Sequence, residues 1–358
     1  DRSLNVGRTL NEGLVGGLQI ITAGVHVVVD QTKERTKDLG FFGQEEVLIK
    51  DRLNVTAGIR GDQSSNNTQA DKLYYYPKGA LSYRFGSIKR GLIDELKIRG
   101  AIGESGNEPL YEKKFSELNS VNIAGVPAQT INATIAGADV HPERQREIEA
   151  GIDATLFGSR ANLEATVYDK HISDLLLNRS LAPVSGFTTQ FFNGGVMRTR
   201  GLELGLNVIP IQTRSLQWSS NFNFFMSRSK MLSMPVPTFR QSANASYGSL
   251  QIEVGKSPTQ VIAWVPSDPS NPNSPRKDAV IGDYNPDYKL SWSSDLSFKK
   301  FKLYWLWDHY QGGWIHNYTE LLYDFAGTTK DYTDPVPQGS PLAAYGSQMG
   351  PARIKAGT

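Results

Sequence analysis

The sequence predicts an all-β protein: an antiparallel up-and-down meander that forms part of a large transmembrane β-barrel. Three observations support this fold class. Short segments alternate strictly between apolar and polar residues, and the connectors between them alternate between short and long. In addition, the chain has no run of about 18 apolar residues that could form a membrane-spanning helix. Its 358 residues are enough for two ordinary domains or one large β unit.

The predicted strands are identified by their alternation. In residues 53–60 the odd-numbered positions are Leu, Val, Ala and Ile, whereas the even-numbered positions are Asn, Thr, Gly and Arg. The same pattern over residues 147–156 and 161–168 predicts a hairpin that turns at FGSR. A final hairpin is predicted to turn near Lys299 and Lys300. Other strands are predicted near residues 4–11, 16–30, 41–50, 74–85, 96–103, 197–210 and 216–228.

The predicted connectors follow a consistent order along the chain. Short connectors are expected near residues 51–52, 86–94, 158–160, 210–214 and 300. Long connectors are expected near residues 31–40, 64–73, 105–144, 172–195, 229–286 and from 312 onward. In a meander every second connector emerges on the same side, so this order places short turns on one side and long loops on the other. Outer-membrane barrels have this asymmetry, whereas Greek-key sandwiches have no reason to keep it.

Alternation by itself fits more than one environment. In a soluble β-sandwich the apolar face covers a core, and a single sheet in water also tolerates a polar face. In an outer-membrane barrel the apolar face contacts lipid and the polar face lines a wet lumen. We favour the barrel because the apolar faces are rich in Ala, Gly, Val and Leu, whereas a soluble core needs bulkier side chains. Aromatic residues also collect towards predicted strand ends, as interfacial girdles require. They are Tyr74, Tyr75, Tyr76, Phe85, Phe157, Tyr168 and Tyr310.

The composition excludes several classes of function. The chain has no cysteine, which excludes disulfides, thiolate metal sites and cysteine nucleophiles. Its formal net charge is +2, without the basic cluster that nucleic acid binding demands, so we expect no nucleic acid partner. The first residues, DRSLNVGRTLNEG, lack the apolar region of a signal peptide. We therefore expect a chain that is either mature or a piece of a longer one.

Individual motifs give weak indications of chemistry. Asp283, Asn285 and Asp287 have the D-x-N-x-D spacing that opens a calcium loop, but Tyr288 and Ser294 occupy the positions where that loop needs Gly and Glu. We interpret this stretch as a transition from loop to strand. The five histidines lack zinc-site spacing, and no G-x-S-x-G nucleophile motif exists. We therefore predict no metal, no cofactor and no catalytic residue.

A set of longer stretches carries a more specific pattern. In chain order they are LIKDRLNVTAGIRGDQSS, YYPKGALSYRF, LKIRGAIGESGN, HPERQREIEAGIDATLFGSRANLEATVYDKHISDLLL, NGGVMRTRGLELGLNVIPI and VIGDYNPDYKLSWSSDLSFKKFKLYWLWDHYQGG. Together they resemble the barrel of the SusC/RagA family of TonB-dependent outer-membrane transporters. In that family a Pro-Glu pair opens a barrel strand, as Pro142 and Glu143 do here, and RTRGLEL and IGDYNPD match two further motifs. The similarity covers nearly all of residues 40–312.

The resemblance implies an architecture larger than this chain. Barrels of the family have 22 strands and follow a signal sequence, a TonB box and a globular plug. We therefore expect residues 1–358 to be an internal part of such a barrel, with about a dozen strands and without the plug domain, TonB box and final strands. The implied location is the bacterial outer membrane.

The resemblance also implies a function and partners. The family imports nutrients, here oligosaccharides or peptides, with energy supplied by the TonB complex through the missing N-terminal region. A SusD-like surface lipoprotein caps the barrel, and outer-membrane lipid surrounds it. The loops near residues 105–144, 229–286 and 312–358 would contact the lipoprotein and the glycan or peptide substrate. Trp314, Tyr318 and Tyr323 are candidate substrate-binding residues that could stack on a sugar ring or a peptide, or could equally pack within their own loop.

Two other functions stay open at this point. An outer-membrane barrel hydrolase, or a soluble all-β glycan hydrolase, would need a convergent acid pair or triad. The acidic residues here lie along strands instead, so we expect the protein not to be an enzyme. A passive porin or structural wall would show the same alternation and the same loops as a transporter.

Overall fold

The structure is a computed structural model. It describes residues 2–12, 26–89, 91–111, 113–124, 126–137, 139–241, 249–268, 270, 274–316, 319, 323 and 354–356. Strands account for nearly all of the regular structure in these residues. None of the helices found in them is long and apolar enough to cross a membrane.

The strands are numbered in chain order. They are β1 (Arg2–Glu12), β2 (His26–Thr36), β3 (Asp38–Ile49), β4 (Leu53–Ser64), β5 (Tyr74–Arg84), β6 (Ile93–Asn107), β7 (Leu118–Ile123), β8 (Val126–Ile131), β9 (Thr134–Ile135), β10 (Glu143–Leu156), β11 (Ala161–Ser173), β12 (Leu176–Ser180), β13 (Thr189–Asn193), β14 (Val196–Gln212), β15 (Leu216–Ser233), β16 (Phe239–Arg240), β17 (Ser249–Ile252), β18 (Gln260–Pro266), β19 (Arg276–Asp283), β20 (Tyr288–Phe298), β21 (Phe301–Gln311), β22 (Trp314–His316) and β23 (Ile354–Ala356). A 3₁₀ turn at Pro183–Ser185 lies between β12 and β13.

Ten of these strands form one large sheet. Their spatial order is β3, β4, β5, β6, β10, β11, β14, β15, β20 and β21, which is also their order along the chain. Every neighbouring pair is antiparallel. The sheet is therefore an up-and-down meander, and the predicted fold class is confirmed.

The short connectors of this sheet lie on one side, as predicted. One of them joins β3 to β4 through Lys50 and Asp51, whose φ angles are 51° and 56°. Two successive residues with positive φ are typical of the type I′ turn, whose twist matches that of the flanking strands. The Arg52 amide closes the turn by donating to the Ile49 carbonyl, 3.1 Å away.

The long connectors emerge on the opposite side and contain further strands. β7 pairs with β8, and β12, β13 and β9 form a three-stranded sheet in that order. β16 to β19 form a four-stranded sheet. The long connector predicted near residues 31–40 is wrong, because β2 extends to Thr36 and β3 begins at Asp38. A continuous ladder with β1, from Arg2↔Thr36 to Glu12↔His26, holds this polar stretch extended. The part of the predicted strand 16–30 that precedes residue 26 lies outside the described residues.

The few buried apolar residues do not form a core that covers the apolar face of the large sheet. Their main cluster, Leu175, Met231 and Ile252, joins the long connectors to the end of β15. The apolar face of the sheet is open instead. Val55 is 36% exposed, Ile152 45% and Phe222 37%, values that exclude a second sheet packed against them.

Candidate functional site

The pairing register assigns every side chain of the large sheet to one of two faces. Ile98, Ile152 and Ala165 are directly opposite one another on β6, β10 and β11. The neighbouring row on these strands, Lys97, Asp153 and Glu164, points to the other face. Because cross-strand partners share a face, one surface is apolar and the other is charged.

The apolar face forms a band of limited height. On β10 it extends from Ile148 to Leu156 and includes Ile152 and two alanines, at alternate positions. Eight residue steps at about 3.3 Å give a length of about 26 Å along the strand, which strand tilt reduces to about 20 Å along the membrane normal. That height is close to the apolar band of about 25 Å that surrounds outer-membrane barrels.

The polar face carries ion pairs that connect three strands. Asp153 on β10 accepts from Lys97 Nζ and Arg99 Nε, both 3.1 Å away on β6. Arg99 Nη2 also donates to Thr166 Oγ1 on β11, at 2.6 Å. Glycine at position 151 leaves room for this side chain, because a Cβ there would lie 2.7 Å from Arg99 Cζ.

Tyr168 lies on this polar face and covers a glycine of the next strand. Tyr168 on β11 is the register partner of Gly201 on β14, and a Cβ on Gly201 would be 2.2 Å from Tyr168 Cζ. The prediction that Tyr168 belongs to a ring at the strand ends is therefore wrong. Tyr168 lies in the middle of β11, because this strand continues to Ser173, and alternation puts it on the same face as Glu164 and Thr166. Tyr74, Phe85, Phe157 and Tyr310 do lie at or next to strand ends.

A cleft of about 760 Å³ opens between the inner faces of β3 to β6 near the long loops. Asp38, Arg60, Asp62, Tyr76 and Glu108 line it, with Phe42 and Lys78. Glu108 follows the end of β6, and burial raises the pKa of its carboxyl above the ordinary value of 4.5. The nearby carboxylates of Asp38 and Asp62 raise this pKa further, whereas a hydrogen bond from Ser64 opposes the shift.

Three polar side chains inside the apolar band, Trp218, Ser220 and Ser294, form hydrogen bonds with one another. Near the short turns, Trp218 Nε1 donates to Ser294 Oγ at 2.7 Å, and Ser294 Oγ donates to the Ser219 carbonyl at 3.0 Å. Ser220 and Ser294 are nearly inaccessible, with 2% and 0% exposure. Trp292 stacks on Phe222 with ring centroids 5.8 Å apart, which covers this group from the side of the loops.

These features agree with the comparison against protein families. The model of the family described as TonB dependent receptor-like, beta-barrel matches residues 7–347. The chain belongs to this family of TonB-dependent receptors. Its large sheet is therefore part of the wall of an outer-membrane barrel, with the apolar face towards lipid and the charged face towards the lumen.

Two TonB-dependent receptors of Formosa agariphila are similar in sequence. Receptor P3 is 25% identical over 352 residues, and the match covers 86% of this chain and 35% of the relative. Receptor P26 is 26% identical over 205 residues, which cover 54% of this chain and 20% of the relative. The chain thus spans about a third of the length of P3.

Solved structures with the same fold include the RagAB peptide transporter. It matches with a TM-score of 0.70 at 17% identity, over 85% of this chain and 37% of the transporter chain. The RagAB peptide importer in its closed-closed state matches with a TM-score of 0.69 at 16% identity, over 84% and 36% of the two chains. At these identities the similarity shows the fold of a TonB-dependent transporter barrel.

The structure describes two of the three candidate substrate-binding residues. Trp314 lies on β22 and is half-buried, with its indole against β19, where a Cβ on Gly282 would be 1.9 Å from Trp314 Cδ1. Tyr323 is 54% exposed in the connector that follows. Tyr318 lies outside the described residues. Trp314 therefore has a packing role, and substrate contact at these residues stays a prediction.

The DYNPD stretch makes a transition from loop to strand. Asp283 accepts from Thr259 Oγ1 at 2.6 Å and from the Asn285 amide at 2.8 Å, and Asp287 pairs with Arg228 at 2.7 Å. Within the described part of the chain, no group of three or more His, Asp or Glu residues is arranged to hold a metal ion.

Proposed function

We propose that this wall belongs to a transporter that imports oligosaccharides or peptides across the outer membrane, driven through TonB and capped by a SusD-like surface lipoprotein. The observation that carries this proposal is the contrast between the two faces of the ten-stranded sheet. The inner face is polar from β4 to β20, and the apolar side chains of the outer face are exposed. We also propose that residues 1–358 supply part of the barrel, since the matched relatives are about three times as long.

The charges of the inner wall support a hydrated cargo without strong net charge. Asp153 is matched by Lys97 and Arg99, and Glu147 binds Lys170 at 3.0 Å. Paired charges keep the surface wet without creating a strong potential of either sign. Oligosaccharides and short peptides fit such a surface better than polyanions or polycations do.

The structural neighbours support the same proposal. Two of them are named as a peptide transporter and a peptide importer, RagAB, and they share this fold. By analogy, a lipoprotein partner would bind the loops that contain β7 to β9, β16 to β19 and β22. Tyr318 and Tyr323 would contact the substrate there by stacking, the usual contact between aromatic rings and sugars or peptides, whereas Trp314 would hold its segment against β19.

The experiment uses the transporter expressed from its complete gene in its own host. Uptake of fluorescent neutral oligosaccharides and of fluorescent peptides is measured with TonB present and with its gene deleted. We expect uptake of one class, and we expect it to stop without TonB. Uptake that continues without TonB would indicate a passive porin, and shortened products outside the cell would indicate a hydrolase.

The loop aromatics are tested in the same cells. Tyr323→Ala should weaken substrate binding at least about fivefold if the exposed ring stacks on substrate. Val184→Ala, at a side chain that is 97% exposed in a different loop, is the matched control and should leave binding unchanged. Equal binding by the Tyr323 variant and the wild type would remove this residue from the proposed site.

A further inference from the structure

The outward face of the wall changes from apolar to charged on the side of the long loops. On five neighbouring strands an outward apolar residue is followed, two positions further towards the loops, by a charged one. The pairs are Ile102 and Glu104 on β6, Ile148 and Arg146 on β10, Val167 and Asp169 on β11, Leu202 and Arg200 on β14, and Met226 and Arg228 on β15. The charges therefore lie at the boundary between hydrocarbon and headgroups.

Cations at this boundary lie next to one another. Arg146 is the register partner of His171, His171 of Arg198, and Arg198 of Lys230, so four strands carry one basic row. In the adjacent row Arg200 is directly opposite Arg228. Like charges directly opposite each other destabilise a sheet, and Asp169 and Asp287 offset this repulsion only at Arg198, Arg200 and Arg228.

The carboxylates nearby do not balance these cations. We define the cationic belt as Arg146, Arg198, Arg200, Arg228 and Lys230. Asp169 binds both Arg198 and Arg200, with 3.0 Å between its Oδ2 and Arg200 Nε, and Asp287 binds Arg228 at 2.7 Å. Arg146 and Lys230 are exposed and form no ion pair among the residues that the structure describes. Glu104, the register partner of Arg146 on β6, pairs with Arg144 instead.

We infer that the cationic belt binds the phosphate groups of an anionic glycolipid in the outer leaflet. Guanidinium groups bind phosphate oxygens in a bidentate way, and such bonds are strong where lipid excludes water. Four strands at about 4.8 Å spacing make the basic row about 14 Å wide, enough for a headgroup with more than one phosphate.

The position of the belt favours a lipid over free phosphate. It is on the lipid-facing side and directly continues the apolar band, so a phosphate bound at Arg146 places attached acyl chains against Ile148 and Val167. A free phosphate ion has no apolar part that could contact this surface. Basic clusters at the membrane boundary attract anionic lipids in the same way.

The test compares two double variants of the transporter expressed from its complete gene. Arg146→Gln with Lys230→Gln removes the two cations of the belt that form no ion pair, so no carboxylate loses an ion pair. Arg52→Gln with Arg160→Gln removes two exposed cations at the short turns and is the matched control. Each protein is placed in phosphatidylcholine nanodiscs with diphosphorylated lipid A, and bound lipid A is measured by native mass spectrometry.

We expect the first variant to bind lipid A at least about tenfold more weakly than the wild type, and the turn variant to bind it equally. A third variant, Asp169→Asn, releases Arg198 and Arg200 and should bind lipid A more tightly. Repetition with dephosphorylated lipid A should abolish the differences. Equal binding by the wild type and the Arg146/Lys230 variant, or differences that persist without phosphate, would overturn the inference. Circular dichroism of each variant confirms that the barrel is folded.

Discussion

Arg99 on β6 donates a hydrogen bond to Thr166 on β11 across the whole of the intervening strand, with 2.6 Å between Nη2 and Oγ1. The side chain passes over Gly151 of β10 and binds Asp153 on the way. One residue thus fixes the register of three strands from the lumen side. Hydrogen bonds that involve a charged group contribute more to stability than neutral ones, so loss of this contact should destabilise the sheet.

Gly151→Val should destabilise the barrel by about 1 to 3 kcal/mol, because the new side chain displaces Arg99 from Asp153 and Thr166. The free energy of unfolding is measured by urea titration in lipid vesicles. Gly79→Val is the control, since a Cβ there meets only the Thr56 carbonyl at 3.8 Å. Equal unfolding free energies for the two variants would show that Arg99 has other conformations of equal stability.

Ser294→Ala should leave the Trp218 indole N–H without an acceptor inside the apolar band, where no water replaces it. A buried unpaired donor costs about 1 to 3 kcal/mol, and the same titration measures this loss. Ser293→Ala, one residue away on the lumen face of β20, is the matched control and should change stability by less than about 0.5 kcal/mol. A loss as large at position 293 would contradict the assignment of the two faces.

Ile152→Lys tests that assignment at the centre of the apolar band. A lysine on the lipid side at the membrane midplane destabilises an outer-membrane barrel by about 2 to 4 kcal/mol. Ser293→Lys puts the same charge on the lumen side and should have little effect. Folding into vesicles, followed by heat-modified mobility on gels, compares the two. Efficient folding of the Ile152 variant would mean that this face does not contact hydrocarbon.

The strands and their two faces could be predicted from the sequence because lipid and water impose opposite requirements on alternate residues. The turn at Lys50 and Asp51 was also predictable, since a charged pair between alternating segments indicates a tight turn. Alternation also predicts the face of the sheet on which Tyr168 lies, which is the polar face. The prediction that Tyr168 belongs to the strand-end aromatics is wrong because β11 continues beyond it to Ser173.

Contacts between distant strands could not be predicted in this way. Arg99 and Thr166 are 67 residues apart, and their contact depends on the register of two strand pairs. The same holds for the cationic belt, since Arg146 and Lys230 share a row only through the registers of β10, β11, β14 and β15. The structure inside the long loops was missed because strands such as β16 and β9 have only two residues, too few to show a period.

Glu108 gives a prediction about pH. Its pKa is raised above 4.5, so the folded protein holds this proton more tightly than the unfolded chain does. The partly buried charge therefore destabilises the fold above the raised pKa, and this penalty disappears as the pH falls through that value to below 4.5. Glu108→Gln removes the charge at every pH.

The variant should thus unfold at a higher urea concentration than the wild type at pH 7, and the difference should vanish near pH 4. Urea midpoints at both pH values measure it. Asp38→Asn tests the cause, because removal of a neighbouring carboxylate lowers the Glu108 pKa and should narrow the difference at pH 7. A difference of the same size at both pH values would mean that the substitution acts through packing in the cleft and not through charge.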